Sequence, residues 1–173
     1  IRYSGAFYDE NEVISMVESI LEGWFGVGRK AELFERKFSE FLGMRDTILT
    51  NSGSSASLLA VSTLCSKRIK GFLKPGDEVI TPALTFPTTL NPIIQNNLTP
   101  VMVDCNVETL NSDINLIRQN INEKTKAIVL PHTLGNPNDM QAIMELAEKH
   151  NLFIVEDNCD ALGSEFNGKK CGS

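Results

Sequence analysis

The sequence predicts an α/β domain, a largely parallel sheet covered by helices. Three observations carry that expectation. After Gly43, short β-rich runs alternate with helical stretches, the rhythm of a parallel sheet whose crossovers are helices. Proline and glycine mark the joints, at Pro75-Gly76, Pro82, Pro92, Pro100, Pro131, Gly135 and Pro137. With 173 residues, 42% of them apolar, the chain is the size of one domain and apolar enough for a packed core.

The elements run in order along the chain. From Asn11 to Leu42 the apolar residues Val13, Ile14, Met16, Val17, Ile20 and Leu21, then Leu33, Phe34, Phe38, Phe41 and Leu42, recur at helical spacing. They predict two helices broken by the turn GWFGVG, Gly23–Gly28. Residues 1–43 are therefore expected to be an N-terminal helical segment of the same domain, and residues 44–173 its α/β part. Within 44–173 the pattern predicts strand Thr47–Thr50, helix Ser55–Leu64, strand Glu78–Thr81, helix Pro87–Gln95 and strand Pro100–Val103. It continues with helix Asn115–Ile121, strand Ala127–Leu130, helix Met140–His150 and strand Leu152–Val155. No internal repeat, low-complexity tract or linker interrupts the series.

Composition excludes several classes. A net charge of −6 and a pI near 5.0 leave no basic face for nucleic acid, so any anionic ligand must be held locally. Cys65, Cys105, Cys159 and Cys171 are scattered, and with only His132 and His150 beside them they form neither a zinc pattern nor a disulfide framework. No run has the roughly 18 apolar residues of a membrane span, and IRYSGAFYDENE lacks the regions of a signal peptide. A soluble, cytoplasmic protein is expected. Because the chain opens at Ile1 and stops at Ser173, directly after the polar turn EFNGKK, both ends are expected to be cut.

In such sheets ligands gather beyond the carboxyl ends of the strands, so chemistry is sought just after each strand. Thr50-Asn-Ser-Gly-Ser-Ser-Ala56 opens a helix with small residues and free amides, which suits a phosphate; an ordinary serine N-cap reads the same way. At the end of the last strand stand Glu156, Asp157 and, shortly after, Asp160. A carboxylate there can keep a ring nitrogen protonated and make the ring an electron sink, while a helix cap with surface charge is the plainer reading. Phe86 comes just past another strand, placed to stack on a flat ligand or simply to pack. His132 leaves a strand into the rigid turn HTLGNP, as a catalytic or as a satisfied structural histidine. Two decoys fall away. Gly163–Lys170 nearly matches a P-loop, but Lys170 occupies the magnesium-binding hydroxyl position, and Gly26-Val-Gly28 lacks the third glycine of a dinucleotide fingerprint.

Taken in order, SGSSASLLA (Ser52–Ala60), GDEVITPALTFPTTLNPII (Gly76–Ile94), PVMVD (Pro100–Asp104), HTLGNP (His132–Pro137) and EDNCDALGS (Glu156–Ser164), with GRKAELFERKFSEFLG (Gly28–Gly43), resemble the DegT-type sugar aminotransferase family. HTLGNP and EDNCDALGS look most like its NDP-4-keto-6-deoxyhexose 3-dehydrases, typified by CDP-4-keto-6-deoxyglucose 3-dehydrase. The resemblance implies part of a fold-type-I large domain, a homodimer with shared active sites, and pyridoxal or pyridoxamine 5'-phosphate as cofactor. It implies that Gly53, Ser54 and Ser55 hold the cofactor phosphate, Phe86 stacks on the pyridine ring and Asp157 pairs with its nitrogen. Asp160 stands where the related aminotransferases have His or Gln near the ring hydroxyl, which favours dehydration of an NDP-4-keto-6-deoxyhexose. The residue that separates the chemistries, a lysine for amino transfer from glutamate or a histidine for dehydration, is expected past Ser173, so no catalytic residue is assigned within the chain. A binding or oligomerisation module that keeps the fold is the non-enzymatic alternative.

Overall fold

A strand buried on both faces sends alternate side chains into two separate cores. The computed structural model of this chain, which describes residues 5–173, is built on that rule. The chain divides into two compact units, one ending at Ile48 and one beginning at Leu49. Residues 1–4, the start of the opening stretch IRYSGAFYDENE, lie outside the described residues.

The first unit holds α1 (Glu10–Leu21) and α2 (Arg29–Leu42). Asp9 opens α1 through a capping box: its carboxylate accepts from the Asn11 amide at 2.8 Å, and Glu12 accepts from the Asp9 amide at 2.8 Å. The Asn11 amide is the chief reason that the Asp9 carboxyl sits below the usual carboxylate range. The GWFGVG turn is pinned by Trp24, whose indole donates to the Val27 carbonyl at 2.8 Å. Gly43 ends α2 in the left-handed conformation, φ 70°. The strand expected at Thr47–Thr50 does not form. Its β-branched residues favour extended backbone, but a strand needs a partner to bond, and none of the described strands pairs with it.

The second unit is the α/β part. Its parallel strands β1 (Glu78–Pro82), β2 (Thr99–Val103), β3 (Thr125–Pro131) and β4 (Phe153–Asp157) lie in the order β2-β1-β3-β4. Helices α3 (Gly53–Leu64) and α4 (Pro87–Gln95) contribute Val61 and Ile93 to one core, with Val79, Ala127 and Val129 of the sheet. Helices α5 (Ile114–Asn120) and α6 (Met140–His150) contribute Ile117, Ile143 and Leu146 to the other, with Ile80, Ile128 and Leu130. Val79/Ile80 and Ala127 to Leu130 thus divide between the cores residue by residue, as strand geometry demands.

Helix ends are set by local chemistry. Pro87 fits the first turn of α4, where its missing N–H has no intrahelical role. Asp113 and Asp139 cap α5 and α6 by accepting the amides of Asn115 at 2.7 Å and Ala142 at 3.1 Å. Asn151 then stops α6 in the left-handed region, φ 54°. The polar turn EFNGKK is the tip of a hairpin, β5 (Glu165–Phe166) against β6 (Lys169–Lys170). Asn167 and Gly168 take the positive φ of 50° and 76° that a two-residue hairpin turn needs.

From β1 the chain crosses to β2 by α4 on one face, and from β2 it crosses back past β1 to β3 by α5 on the other. The connections diverge between β1 and β3, leaving a crevice at their carboxyl ends. Among the described residues no helix is long and apolar enough to cross a membrane.

Ile128 is buried at 1% exposure in the central strand β3, whereas Met102 on the edge strand is 59% exposed. In the full-length protein, urea unfolding should show Ile128→Ala losing about 2–5 kcal/mol.

Candidate functional site

The carboxyl ends of β1, β3 and β4 and the amino end of α3 enclose a cleft of about 560 Å³, a usual size for a small-molecule site. Gly53, Ser54, Phe86, Asp157 and Asp160 all line it. Ser55 is the exception. Its amide donates to Ser52 Oγ at 3.2 Å, completing the N-cap of α3, and Ser57, one residue outside the predicted set, faces the cleft instead. The amides of Gly53 and Ser54 lie in the first helical turn, which has no intrahelical acceptors and carries the positive end of the helix dipole.

Beyond β1, Leu84, Thr85 and Phe86 form one wall. Phe86 is 71% exposed, an aromatic ring left largely uncovered among the described residues. The Thr85 hydroxyl is buried and makes no hydrogen bond, an orphaned group that a ligand could satisfy.

Asp157 ends β4 and also lines the cleft, partly buried. Thr89 of α4, itself 1% exposed, donates to Asp157 Oδ2 at 2.8 Å, and the Cys159 amide donates to Oδ1 at 3.2 Å. No cationic side chain among the described residues pairs with this carboxylate. It is therefore oriented by two neutral donors, with its charge left for something in the cleft. A cationic ring nitrogen fits that carboxylate, and helix-end amides fit a phosphate.

His132 is buried at 0% exposure and has both ring nitrogens occupied. Nδ1 accepts from the Asn138 amide at 3.0 Å; since a backbone N–H only donates, the ring proton belongs to Nε2, which donates to Glu156 Oε2 at 2.8 Å. Of the two sequence readings for this residue, the geometry is that of the satisfied structural histidine. Asp160 stands on the rim and accepts from the Leu134 amide at 3.4 Å. The adjoining 3₁₀ turn, Thr133–Gly135, holds Leu134 at φ 54° and Gly135 at φ 81°. A Cβ on Gly135 would meet the Asp160 carbonyl at 3.0 Å.

Sequence reasoning missed Thr89, Asn138 and Asn111, and named Glu156 only as one of the acids at the end of the last strand. Thr89 positions Asp157, and Glu156 and Asn138 hold His132. Asn111, 5% exposed, accepts the Thr133 amide at 3.1 Å and donates to the Asn136 and Pro137 carbonyls at 2.8 and 3.0 Å. Only Thr89 left a signal, as a hydroxyl in the first turn of a helix that begins at the cleft.

Residues 8–173 match the DegT/DnrJ/EryC1/StrS aminotransferase family. The chain is 49% identical, over 100% of its length, to dTDP-4-dehydro-2,6-dideoxy-D-glucose 3-dehydratase of Saccharopolyspora spinosa, and covers 38% of that protein. It is 39% identical over 96% of its length to GDP-4-keto-6-deoxy-D-mannose 3-dehydratase of Yersinia pseudotuberculosis, covering 42% of it. A solved structure of the E. coli GDP-4-keto-6-deoxy-D-mannose-3-dehydratase with bound hydrated PLP superposes with a TM-score of 0.93 at 31% identity, over 98% of this chain and 43% of that one. The chain thus spans about two fifths of the length of these relatives.

The cysteines differ in what surrounds them. Cys159 is exposed at the cleft, while Cys171 is buried, and burial, then the nearby Glu156 charge, pushes its thiol above the usual range. A raised value means less thiolate at pH 8, so iodoacetamide on the full-length protein should label Cys159 well before Cys171. Peptide mass spectrometry over a time course reads the order, and equal rates would contradict it.

Proposed function

This chain belongs to the DegT/DnrJ/EryC1/StrS aminotransferase family, and from that premise we infer that its parent enzyme uses pyridoxal or pyridoxamine phosphate to remove the 3-hydroxyl of an NDP-4-keto-6-deoxyhexose. The observation that carries this reading is Asp157, a carboxylate fixed by Thr89 and the Cys159 amide, facing a cleft with no cation of its own. The 3-dehydratase names of the relatives support the substrate class.

Gly53 and Ser54 would hold the cofactor phosphate through the helix-end amides, and Phe86 would cover one face of the ring. Asp157 would pair with the ring nitrogen, while Asp160 would lie at the rim near the ring's polar edge. Ser55 is left out of the phosphate set, because its amide already donates to the capping Ser52 Oγ. Bound there, the cofactor supplies an electron sink for a carbanion next to the sugar carbon it holds. The chain's own residues hold and orient. Thr89 fixes the Asp157 carboxylate, the Thr85 hydroxyl offers a free donor and acceptor, and Leu84 and Phe86 present apolar surface to the ligand.

Proton transfer is assigned to a residue past Ser173. His132 is the only imidazole lining the cleft among the described residues, and its hydrogen bonds to Glu156 and Asn138 occupy both nitrogens. The family's description as aminotransferases favours a second reading, amino transfer from glutamate to a keto sugar nucleotide. A lysine at the assigned position would mark that reading and a histidine the first. The parent is further read as a cytoplasmic homodimer. The apolar residues left exposed on α1, among them Val13, Ile14, Met16 and Val17, support a partner surface.

Full-length protein incubated with pyridoxamine phosphate and an NDP-4-keto-6-deoxyhexose should yield a 3-deoxy sugar by NMR. A 4-amino sugar formed with glutamate would establish the second reading instead. Asp157→Asn should lower turnover at least about tenfold, equivalent to about 1.4 kcal/mol of barrier, and alter the cofactor's absorbance. Unchanged turnover and spectrum would remove Asp157 from the role.

A further inference from the structure

We propose that Glu156 and His132 form a clamp that fastens the stretch Cys171–Ser173 beside the carboxyl end of β4, and that both are positioning residues with no part in proton transfer. The clamp rests on geometry alone; its importance for turnover rests on the function proposed above.

Glu156 Oε2 receives two donors from segments far apart in the chain, His132 Nε2 at 2.8 Å and the Gly172 amide at 3.0 Å. The first donor cannot turn away. His132 is fully buried, and its other nitrogen is engaged by the Asn138 amide at 3.0 Å and lies 3.2 Å from Asn138 Nδ2, while that same Nδ2 donates to the Pro131 carbonyl at 2.7 Å. Protonating Nδ1 would set two N–H groups against each other, so the ring is held as a donor at Nε2 alone. A group with no free nitrogen and no solvent contact is built to hold a carboxylate, not to exchange protons with a ligand.

The second donor requires glycine. Gly172 has φ 82°, and a Cβ there would meet Asn158 Nδ2 at 2.7 Å. With no side chain, the backbone approaches β4 closely enough for its amide to reach Glu156. Two more bonds fix the flanks: the Cys171 amide donates to the Ser164 carbonyl at 2.9 Å, and the Ser173 amide to the Lys170 carbonyl at 3.2 Å. The same clamp reaches Asp157, because the His132 backbone amide donates to the Asp157 carbonyl at 3.2 Å. A residue coming after Ser173 would therefore start from a point fixed relative to Asp157.

The test compares Glu156→Ala and Glu156→Gln in the full-length protein by hydrogen exchange with mass spectrometry, without cofactor or substrate, and then by steady-state kinetics. A glutamine carbonyl still accepts both bonds, so E156Q should keep wild-type protection at Cys171–Ser173 and most of its turnover. E156A should speed exchange there at least about tenfold, the loss expected when one local bond is broken, with α6 unchanged. Its kcat should fall with little change in KM. If E156A does not fold, Glu156→Asp, which draws the carboxylate back from both donors, takes its place. Unchanged exchange in E156A, or exchange raised equally throughout the protein, overturns the clamp. Loss of turnover in E156Q with protection intact overturns the positioning role, since it would show that the carboxylate itself is needed. Because exchange is read without ligands, a parent with some other chemistry would leave the clamp standing.

Discussion

Consecutive residues of a strand point to opposite sides of the sheet, and at the end of β4 that constraint gives two adjacent carboxylates different surroundings. Asp157 turns toward α4 and the cleft, where Thr89 meets it; Glu156 turns the other way, onto the buried His132. Both placements stem from the register of β4 against β3, in which Glu156 lies beside Leu130 and Asp157 beside Pro131. A slip of one residue would exchange the two and leave His132 without its acceptor. The two cores prevent the slip, because Phe153 and Val155 pack on one side and Ile154 on the other.

Much of this architecture was legible in the sequence, and the reasons differ by element. The bounds of α4 and α6 were readable because their ends are written in single residues: Pro87 at the first turn, Asp139 as cap, Asn151 as stop. The strands of the sheet were readable because each is an apolar run between turns. Thr47–Thr50 misled for the complementary reason, since propensity records what a residue tolerates and pairing depends on a neighbour elsewhere in the chain. In the site, Gly53, Ser54, Phe86, Asp157 and Asp160 stood out by their positions just past a strand or at the opening of a helix, and they share one cleft. Ser55 lies outside the cleft lining with its amide on Ser52 Oγ, since a run of serines does not say which amide the cap engages. Glu156 and Asn111 act through bonds to segments far along the chain, and Asn138 acts across the turn after β3; no local pattern announces those.

Charge in the cleft is arranged by position, not by total. The chain as a whole carries −6, yet the side formed by α3 offers amide donors and the positive end of a helix, worth roughly half an elementary charge. The side formed by β4 offers Asp157 and the rim carboxylate Asp160. A ligand with an anionic group at one end and a protonated ring at the other meets complementary charge at both. A ligand carrying negative charge throughout would be repelled by the Asp157 carboxylate.

The turn after His132 shows how that polarity is held in place. Leu134 sits in the left-handed region, which costs a side-chain-bearing residue about 1–2 kcal/mol, and such strain persists only where neighbours over-determine it. Here Asp160 accepts the Leu134 amide, Asn111 accepts the Thr133 amide, and Ser164 donates to the Gly135 carbonyl at 2.8 Å. Three bonds of about 1 kcal/mol each are enough to offset the strain. They also tie the turn to the segment carrying Asp160 and to the loop before α5. The strained turn thus links the carboxyl ends of β3 and β4. A change at Asn111 or Ser164, neither of which lines the cleft, would be felt first at Asp160 and at the backbone that carries His132.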